Sequence, residues 1–144
     1  MLWRGVACAI LLVALCACDQ SNDESDGKKS KTSAVAPTSR FESDVIPILR
    51  QNCATCHLTG QEAGSMSLTP KVAWQTLVNV KAAGAPGLVR VVPGRPEASY
   101  LLMKLEGTQI EHGGAGARMP FGAPPLPPDQ ISIIRQWIAD GAEK

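Results

Sequence analysis

The stretch Cys53-Ala54-Thr55-Cys56-His57 is the most informative part of the sequence. It directly follows apolar residues at helical spacing, which are Phe41, Val45, Ile48 and Leu49. Residues at positions i, i+3 and i+4 lie on one face of a helix. We therefore expect both thiols and the imidazole to point the same way where this first helix ends.

The spacing C-x-x-C-H is the attachment sequence for c-type haem. Cys53 and Cys56 are predicted to form thioethers with the two vinyl groups of one covalent haem c, and His57 to bind the iron through one ring nitrogen. The other ring nitrogen of His57 is expected to donate to a backbone carbonyl, which would fix the tautomer and tune the basicity of the ring.

Two other chemistries use the same residue types. A C-x-x-C thiol–disulfide site usually follows a strand in a βαβ unit, and no such pattern is visible in this sequence. A structural zinc site needs four ligands, and in an exported chain only His112 is left to join the pentapeptide. Haem is favoured, and both alternatives stay open on the sequence alone.

The N-terminus has the pattern of a bacterial export signal. The uncharged run Val6–Ala17 is too short to span a bilayer but matches the apolar region of a secretory signal. Leu15-Cys16-Ala17-Cys18 resembles the lipoprotein box, which implies a signal peptide at 1–17 and a lipid on Cys18. The expected location is periplasmic, with the lipid holding the chain to a membrane. Two cysteines would leave with the signal, Cys8 and Cys16.

Residues 18–40 are predicted to be the lipidated cysteine and a disordered tether. From Asp19 to Arg40 there is no aromatic residue and no apolar periodicity, so this stretch cannot bury enough surface to fold. The near balance of 14 basic and 13 acidic residues argues against a general nucleic-acid binder. Residues 41–144 are the only candidate domain, and their low aromatic content predicts a thin core that a covalent porphyrin would complete.

The candidate domain is predicted to be all-α, with long irregular loops. Thr69-Pro70 has the pattern of an N-cap followed by proline at the first helical position. Leu88–Val92 hints at an extended segment. Four helices are expected, from Phe41 into Cys53, over 70–80, over 96–105, and from the Pro127-Pro128-Asp129 opening to the Gly141 C-cap.

Four side chains compete for the second axial position on the iron. A core role is favoured for Met103, which lies among leucines in a predicted helix. Met66 follows His57 so closely that the chain would have to travel around the haem to reach its far side. His112 fits a polar residue of a glycine-rich loop, and Met119 stands in a proline-rich loop just before the last helix, where a satellite core role is its alternative.

Five segments follow one another along the domain: Val45–Leu49, Cys53–His57, Val92–Ser99, Arg118–Pro120 and Ile134–Ala142. Together they resemble the class I cytochrome c fold, and more closely its planctomycete-type branch of small cytochrome c domains. The resemblance covers about 45–142. It implies that Met119 is the distal axial ligand and that the first and last helices cross over the haem edge. The chain departs from the family pattern at the glycine-rich stretch 113–116.

These features predict a membrane-tethered periplasmic electron carrier that exchanges single electrons with redox partner proteins, rather than an enzyme. Ligation by His57 and Met119 would leave no open position on the iron, and the soft thioether would raise its reduction potential. A peroxidase-like haem enzyme would instead need His112 as its acid–base group. A haem-based redox or gas sensor would need a labile Met119. Three arginines are candidate partners of the haem propionates, Arg90, Arg95 and Arg118.

Overall fold

The computed structural model describes residues 39–144. The predicted signal peptide at 1–17, the lipidated Cys18 and nearly all of the tether lie outside the described residues. Within 39–144 the chain is helical and contains no strand, so the all-α prediction is confirmed for this part. None of the helices described is long and apolar enough to cross a bilayer.

The predicted first helix is present. A π-helical turn, Phe41–Val45, continues into α1, Ile46–Asn52. Its apolar stripe is buried as the spacing predicts, and Pro47 lies in the first turn of α1, where a missing N–H is tolerated. Arg40, which the sequence assigned to the tether, is helical and forms an ion pair with Asp140, so it belongs to the helical domain.

The second helix is shorter than predicted. α2 spans Ala73–Leu77 instead of 70–80. The N–H groups of Val72 and Ala73 both donate to the Thr69 carbonyl, at 3.1 and 2.9 Å, which makes a turn where the sequence predicted the helix start. At the other end Val78 is extended and bridges Val91, so tertiary pairing ends α2 early.

The predicted third helix is broken at Ser99. A 3₁₀ turn, Pro96–Ala98, is followed by α3, Tyr100–Glu106, and Ser99 between them is extended. The buried Ser99 hydroxyl accepts from the Val92 N–H and donates to the Arg95 carbonyl, both at 2.9 Å. The segment that the sequence marked as extended, Leu88–Val92, makes three isolated bridges with its neighbours.

The last helix, α4, spans Pro128–Ala139, with proline at its first turn. The chain turns after it at Gly141, whose φ is +106°. The Phe41 and Trp137 rings pack with centroids 5.0 Å apart, and Asn52 Nδ2 donates to Gln130 Oε1 at 3.3 Å. The first and last helical segments therefore pack together along one common core, and the end of α1 is held in place beside the cavity described next.

Candidate functional site

A cavity of about 730 Å³ lies between the segment that follows α1, helix α3 and the loop before α4. This volume is typical of a site for a small molecule or cofactor. Its wall is mostly apolar, and it includes Cys53, Cys56, His57 and Met119. The fold therefore brings the predicted attachment and axial residues to one space.

The pentapeptide adds one tight turn to the end of α1. The N–H groups of Cys53 and Ala54 donate to the Leu49 carbonyl, both at 2.9 Å. Those of Cys56 and His57 donate back to the Cys53 carbonyl at 3.1 and 3.0 Å. This turn places both thiols and the imidazole in the cavity wall, as the i, i+3, i+4 spacing predicts.

The state of the thiols bears on the thiol–disulfide alternative. Both cysteines are free, and burial, with a smaller contribution from Cys56, raises the pKa of the Cys53 thiol to about 11. A reactive redox cysteine needs a lowered pKa, because the thiolate is the nucleophile. Cys53 is a neutral thiol at physiological pH and follows a helix instead of a strand. The arrangement does not favour a thiol–disulfide exchange site.

The zinc alternative lacks its ligands in the described part of the chain. Within 39–144 no three His, Cys, Asp or Glu side chains come together in a way that could hold a metal ion. His112 is exposed and is absent from the cavity wall. The fourth ligand that a zinc site would require is therefore not supplied by the residue that the sequence offered.

His57 is held differently from the prediction. It is 8% exposed, and its carbonyl accepts from the Leu68 N–H at 2.7 Å. Its Nδ1 is buried without a hydrogen-bond partner, so the predicted bond to a backbone carbonyl is wrong. The neighbouring loop includes Gly64, whose carbonyl accepts a hydrogen bond from Arg90.

The imidazole is chemically suited to bind a metal. Burial is the main cause that lowers the pKa of His57. Glu62 makes a smaller contribution that raises this pKa, and Arg90 makes one that lowers it further. The ring is therefore neutral at physiological pH, which is the state that coordinates iron.

The candidates for the second axial position lie in different places. A Cβ built on Gly64 would lie 3.6 Å from Met66 Cε and 3.8 Å from His57 Cε1, so both side chains lie next to Gly64. Met103 is buried in a small cluster with Tyr100 and is not part of the cavity wall, which agrees with its predicted core role. Met119 enters the wall from a separate loop. Two of the predicted candidates therefore line the cavity, Met66 from the segment that follows His57 and Met119 from the loop before α4.

The loop that carries Met119 is held by α3. The Met119 N–H donates to the Lys104 carbonyl at 2.8 Å, and Lys104 Nζ donates to the carbonyls of Ala115 and Ala117. The Tyr100 hydroxyl also bonds the Ala115 backbone, at 3.2 Å to its carbonyl. These contacts define the path of the loop through the glycine-rich stretch 113–116.

Contacts at Gly114 show why this position of the stretch 113–116 requires glycine. A Cβ at this position would lie 2.5 Å from Tyr100 Cε2 and 2.9 Å from the Gln109 carbonyl oxygen, which no side chain tolerates. Gln109 is itself buried, and its Nε2 donates to the Gly116 carbonyl at 2.8 Å. The glycine lets the loop lie directly on the tyrosine ring.

The charges around the cavity all have one sign. Arg90 and Lys104 line it, and no carboxylate does. The other two arginines that the sequence proposed are engaged elsewhere. Arg95 pairs with Glu97 on the surface, and Arg118 donates to the carbonyls of Met119 and Ala123. Sequence reasoning missed Lys104, although its position four residues after Tyr100 places both on one face of α3.

Comparisons with protein-family models, with curated proteins and with solved structures found no match to this chain.

Proposed function

We propose that this chain is a c-type cytochrome that binds one covalent haem c and carries single electrons. The observation that carries the proposal is that Cys53, Cys56, His57 and Met119 line one mostly apolar cavity. Three of them come from one helical turn and the fourth from a loop that follows α3, so the residues approach the space from two segments.

The residues present fit such a group. Cys53 and Cys56 would hold it covalently, and His57 and Met119 would bind its iron. Buried leucines of the wall would cover its apolar surface, namely Leu68, Leu77, Leu101 and Leu105. The cationic groups of Arg90 and Lys104 suit a ligand that carries carboxylates, because burying an unpaired carboxylate is costly.

When bound, haem c supplies a reversible one-electron couple. The chain does the remaining work. The His57 imidazole and the Met119 thioether would both bind the iron and so exclude oxygen and other ligands from it. The leucines exclude water, and the two cations favour the less positive, reduced state. Cys56 and Phe121 are exposed at the cavity mouth, where a redox partner protein gains access.

The remaining elements of the proposal concern location. The lipoprotein-box pattern ending at Cys18 supports export and lipid attachment to a bacterial membrane. With a net charge of only +1, long-range electrostatic steering of partners is weak, and a tether that raises the local concentration compensates for this. Cys18→Ser should move the chain from the membrane to the soluble fraction, and continued membrane binding by this variant would refute the lipid attachment.

The test of the central proposal compares Met119→Ala with Met66→Ala. Both methionines line the cavity, so the variants remove the same volume and sulfur from the same wall. The protein would be produced with a haem-attachment system. Wild type and Met66→Ala should be low-spin and resist carbon monoxide, whereas Met119→Ala should be high-spin and bind it.

The same comparison separates the alternatives. A high-spin wild type that binds carbon monoxide readily would overturn the electron-carrier proposal in favour of an enzyme or sensor. Low-spin Met119→Ala together with high-spin Met66→Ala would move the distal role to Met66. The peroxidase alternative gains nothing from His112, which is exposed and outside the cavity wall.

A further inference from the structure

The proposed electron carrier uses the charge of Arg90 but does not explain the hydrogen bonds of its buried guanidinium. Its side chain belongs to the cavity wall, and the residue is 7% exposed. Among the ion pairs of residues 39–144 none includes it. Burial lowers its pKa from the ordinary arginine value without a carboxylate to oppose this. Burying this positive charge without an anionic partner costs free energy unless its N–H groups form hydrogen bonds.

Those N–H groups bind main-chain carbonyls from two segments. Nη1 donates to the Thr76 carbonyl at 2.6 Å. Nη2 donates to the carbonyls of Gly64 and Ser65, at 2.6 and 3.1 Å. The planar guanidinium therefore ties the end of α2 to the loop that follows His57, which the single ammonium group of a lysine could not do with the same geometry.

The turn that Arg90 holds is conformationally unusual. Gly64 and Ser65 both have positive φ, at +92° and +49°. Glycine adopts a positive φ readily, but serine does so only at a cost in free energy. The surroundings must therefore hold Ser65 in this conformation. The two carbonyls bound by one nitrogen of Arg90 belong to these two residues.

This turn lies beside the imidazole, close enough that an added methyl group at Gly64 would contact it. A Cβ built on Gly64 would be 3.8 Å from His57 Cε1, in ordinary van der Waals contact. His57 Nδ1 has no hydrogen-bond partner, so no hydrogen bond at this nitrogen fixes the ring. The ring orientation therefore depends on the packing of the loop around it, and Arg90 holds that loop.

We propose that Arg90 is a positioning residue for His57. It clamps the Gly64–Ser65 turn against the imidazole and so sets the ring orientation, in place of the hydrogen bond at Nδ1. Its positive charge, which no carboxylate of residues 39–144 pairs with, stays in the cavity wall and favours the reduced state of a bound haem. This inference rests on the proposed function, but the clamp itself is a property of the chain.

The test uses Arg90→Met, with Arg95→Met as the matched control. Both variants remove an arginine, and Arg95 is exposed and paired only with Glu97. Amide hydrogen exchange in the purified protein would be followed from 64 to 68, where the Leu68 N–H donates to the His57 carbonyl. Arg90→Met should speed this exchange by at least about tenfold, because buried carbonyls lose a charged donor, and Arg95→Met should leave it unchanged.

A redox titration of the same proteins tests the charge. The reduction potential should fall in Arg90→Met and stay at the wild-type value in Arg95→Met. Arg90→Lys keeps the positive charge but loses the planar guanidinium with its two donor nitrogens. It should therefore retain the wild-type reduction potential while still showing faster amide hydrogen exchange. This variant also keeps the test decisive if Arg90→Met does not fold.

The outcomes separate the two proposals. Equal exchange rates in wild type, Arg90→Met and Arg90→Lys would overturn the clamp, whatever the cofactor. A wild type that acquires no haem would overturn the proposed function, while the exchange comparison would still decide whether Arg90 holds the loop. Equal potentials in Arg90→Met and Arg95→Met would remove the electrostatic part of the inference.

Discussion

The two sides of the cavity are built in different ways. The His57 side is local in sequence, because one turn after α1 positions Cys53, Cys56 and His57 through bonds to residues three or four positions earlier. The Met119 side depends on contacts between separate segments, in which Tyr100 and Lys104 of α3 hold a loop that comes more than ten residues later.

This difference determines which amino-acid substitutions each side of the cavity tolerates. The spacing of a helical turn fixes the backbone of the His57 side, so changes elsewhere leave the order of thiols and imidazole along the turn intact, and the Arg90 contacts affect only the ring orientation. The Met119 side lies on a glycine-rich loop that Tyr100 and Lys104 of α3 hold through hydrogen bonds. We therefore expect substitutions on the His57 side to abolish the site, and substitutions under the loop to loosen it by degrees.

His57→Ala should have the largest effect. Removing the imidazole takes away the group that the rigid turn presents, so the yield of low-spin haem protein should fall by at least about tenfold, as expected when a metal ligand is lost. His112→Ala removes an exposed histidine outside the cavity wall and is the control. Absorption spectra of equal amounts of purified chain measure the effect, and a His57→Ala spectrum like that of wild type would contradict it.

Gly114→Ala should have the next largest effect, confined to the Met119 side. The added methyl would lie 2.5 Å from Tyr100 Cε2, so the loop has to move. We expect a loss of about 1–3 kcal/mol of unfolding free energy, typical of overpacking, together with partial loss of the low-spin spectrum. Denaturant unfolding gives the stability change.

Gly84→Ala is the matched control for this substitution. Its Cβ would meet the same tyrosine, but at 3.8 Å from the hydroxyl oxygen, which is ordinary contact. Equal stability losses in the two variants would show that Tyr100 does not set the path of the loop.

Lys104→Met should have a smaller effect on the same loop. The ammonium donates to the Ala115 and Ala117 carbonyls, and its loss should cost about 1 kcal/mol, since the group is partly exposed. Lys81→Met, at an exposed position, is the control. If Lys104→Met binds carbon monoxide no better than Lys81→Met, the side chain does not help to hold Met119 in place.

Glu62→Gln should have the smallest effect, and it depends on pH. The backbone N–H of Glu62 itself, then bonds from the Thr59 hydroxyl and from the N–H groups of Thr59 and Gly60, hold the pKa of this carboxyl at about 2. A lowered pKa in the folded state stabilises the fold above the unfolded pKa, and this stabilisation is lost as pH falls from about 4.5 towards 2.

Unfolding of Glu62→Gln would be compared with wild type across this range of pH. The variant should be less stable at neutral pH, and the difference should shrink below pH 4 or so as the wild-type carboxyl becomes protonated. Glu111→Gln, which removes another exposed carboxylate, is the control. A stability difference that stays constant down to about pH 2 would contradict the role of the carboxylate.

The same contrast explains how much the sequence predicted. The first helix and the thiol–imidazole turn follow from spacing along a continuous helical segment, and α4 from its proline start and glycine end. The limits of α2 and α3 do not follow from local spacing. They are set by the Val78–Val91 bridge and the Ser99 hydroxyl bonds, which join different segments of the chain. Local patterns carry no information about such pairings.

The candidate site divides in the same way. The presence of Met119 in the cavity wall was expected from a resemblance, since no spacing rule relates it to His57. The roles of Lys104 and Gly114 were missed, because each acts through a contact that only the folded loop creates. The backbone carbonyl bond predicted for the His57 ring is not formed at Nδ1, and the carbonyl of the neighbouring Gly64 accepts from Arg90 of a third segment.

The most direct test of the account is the mass of the denatured mature chain, produced with a haem-attachment system. The account predicts an increase by one haem in wild type, retained under denaturing conditions, and none in the Cys53→Ala, Cys56→Ala double variant. A wild-type chain with the mass of the bare polypeptide, under conditions that load a control cytochrome, would contradict it.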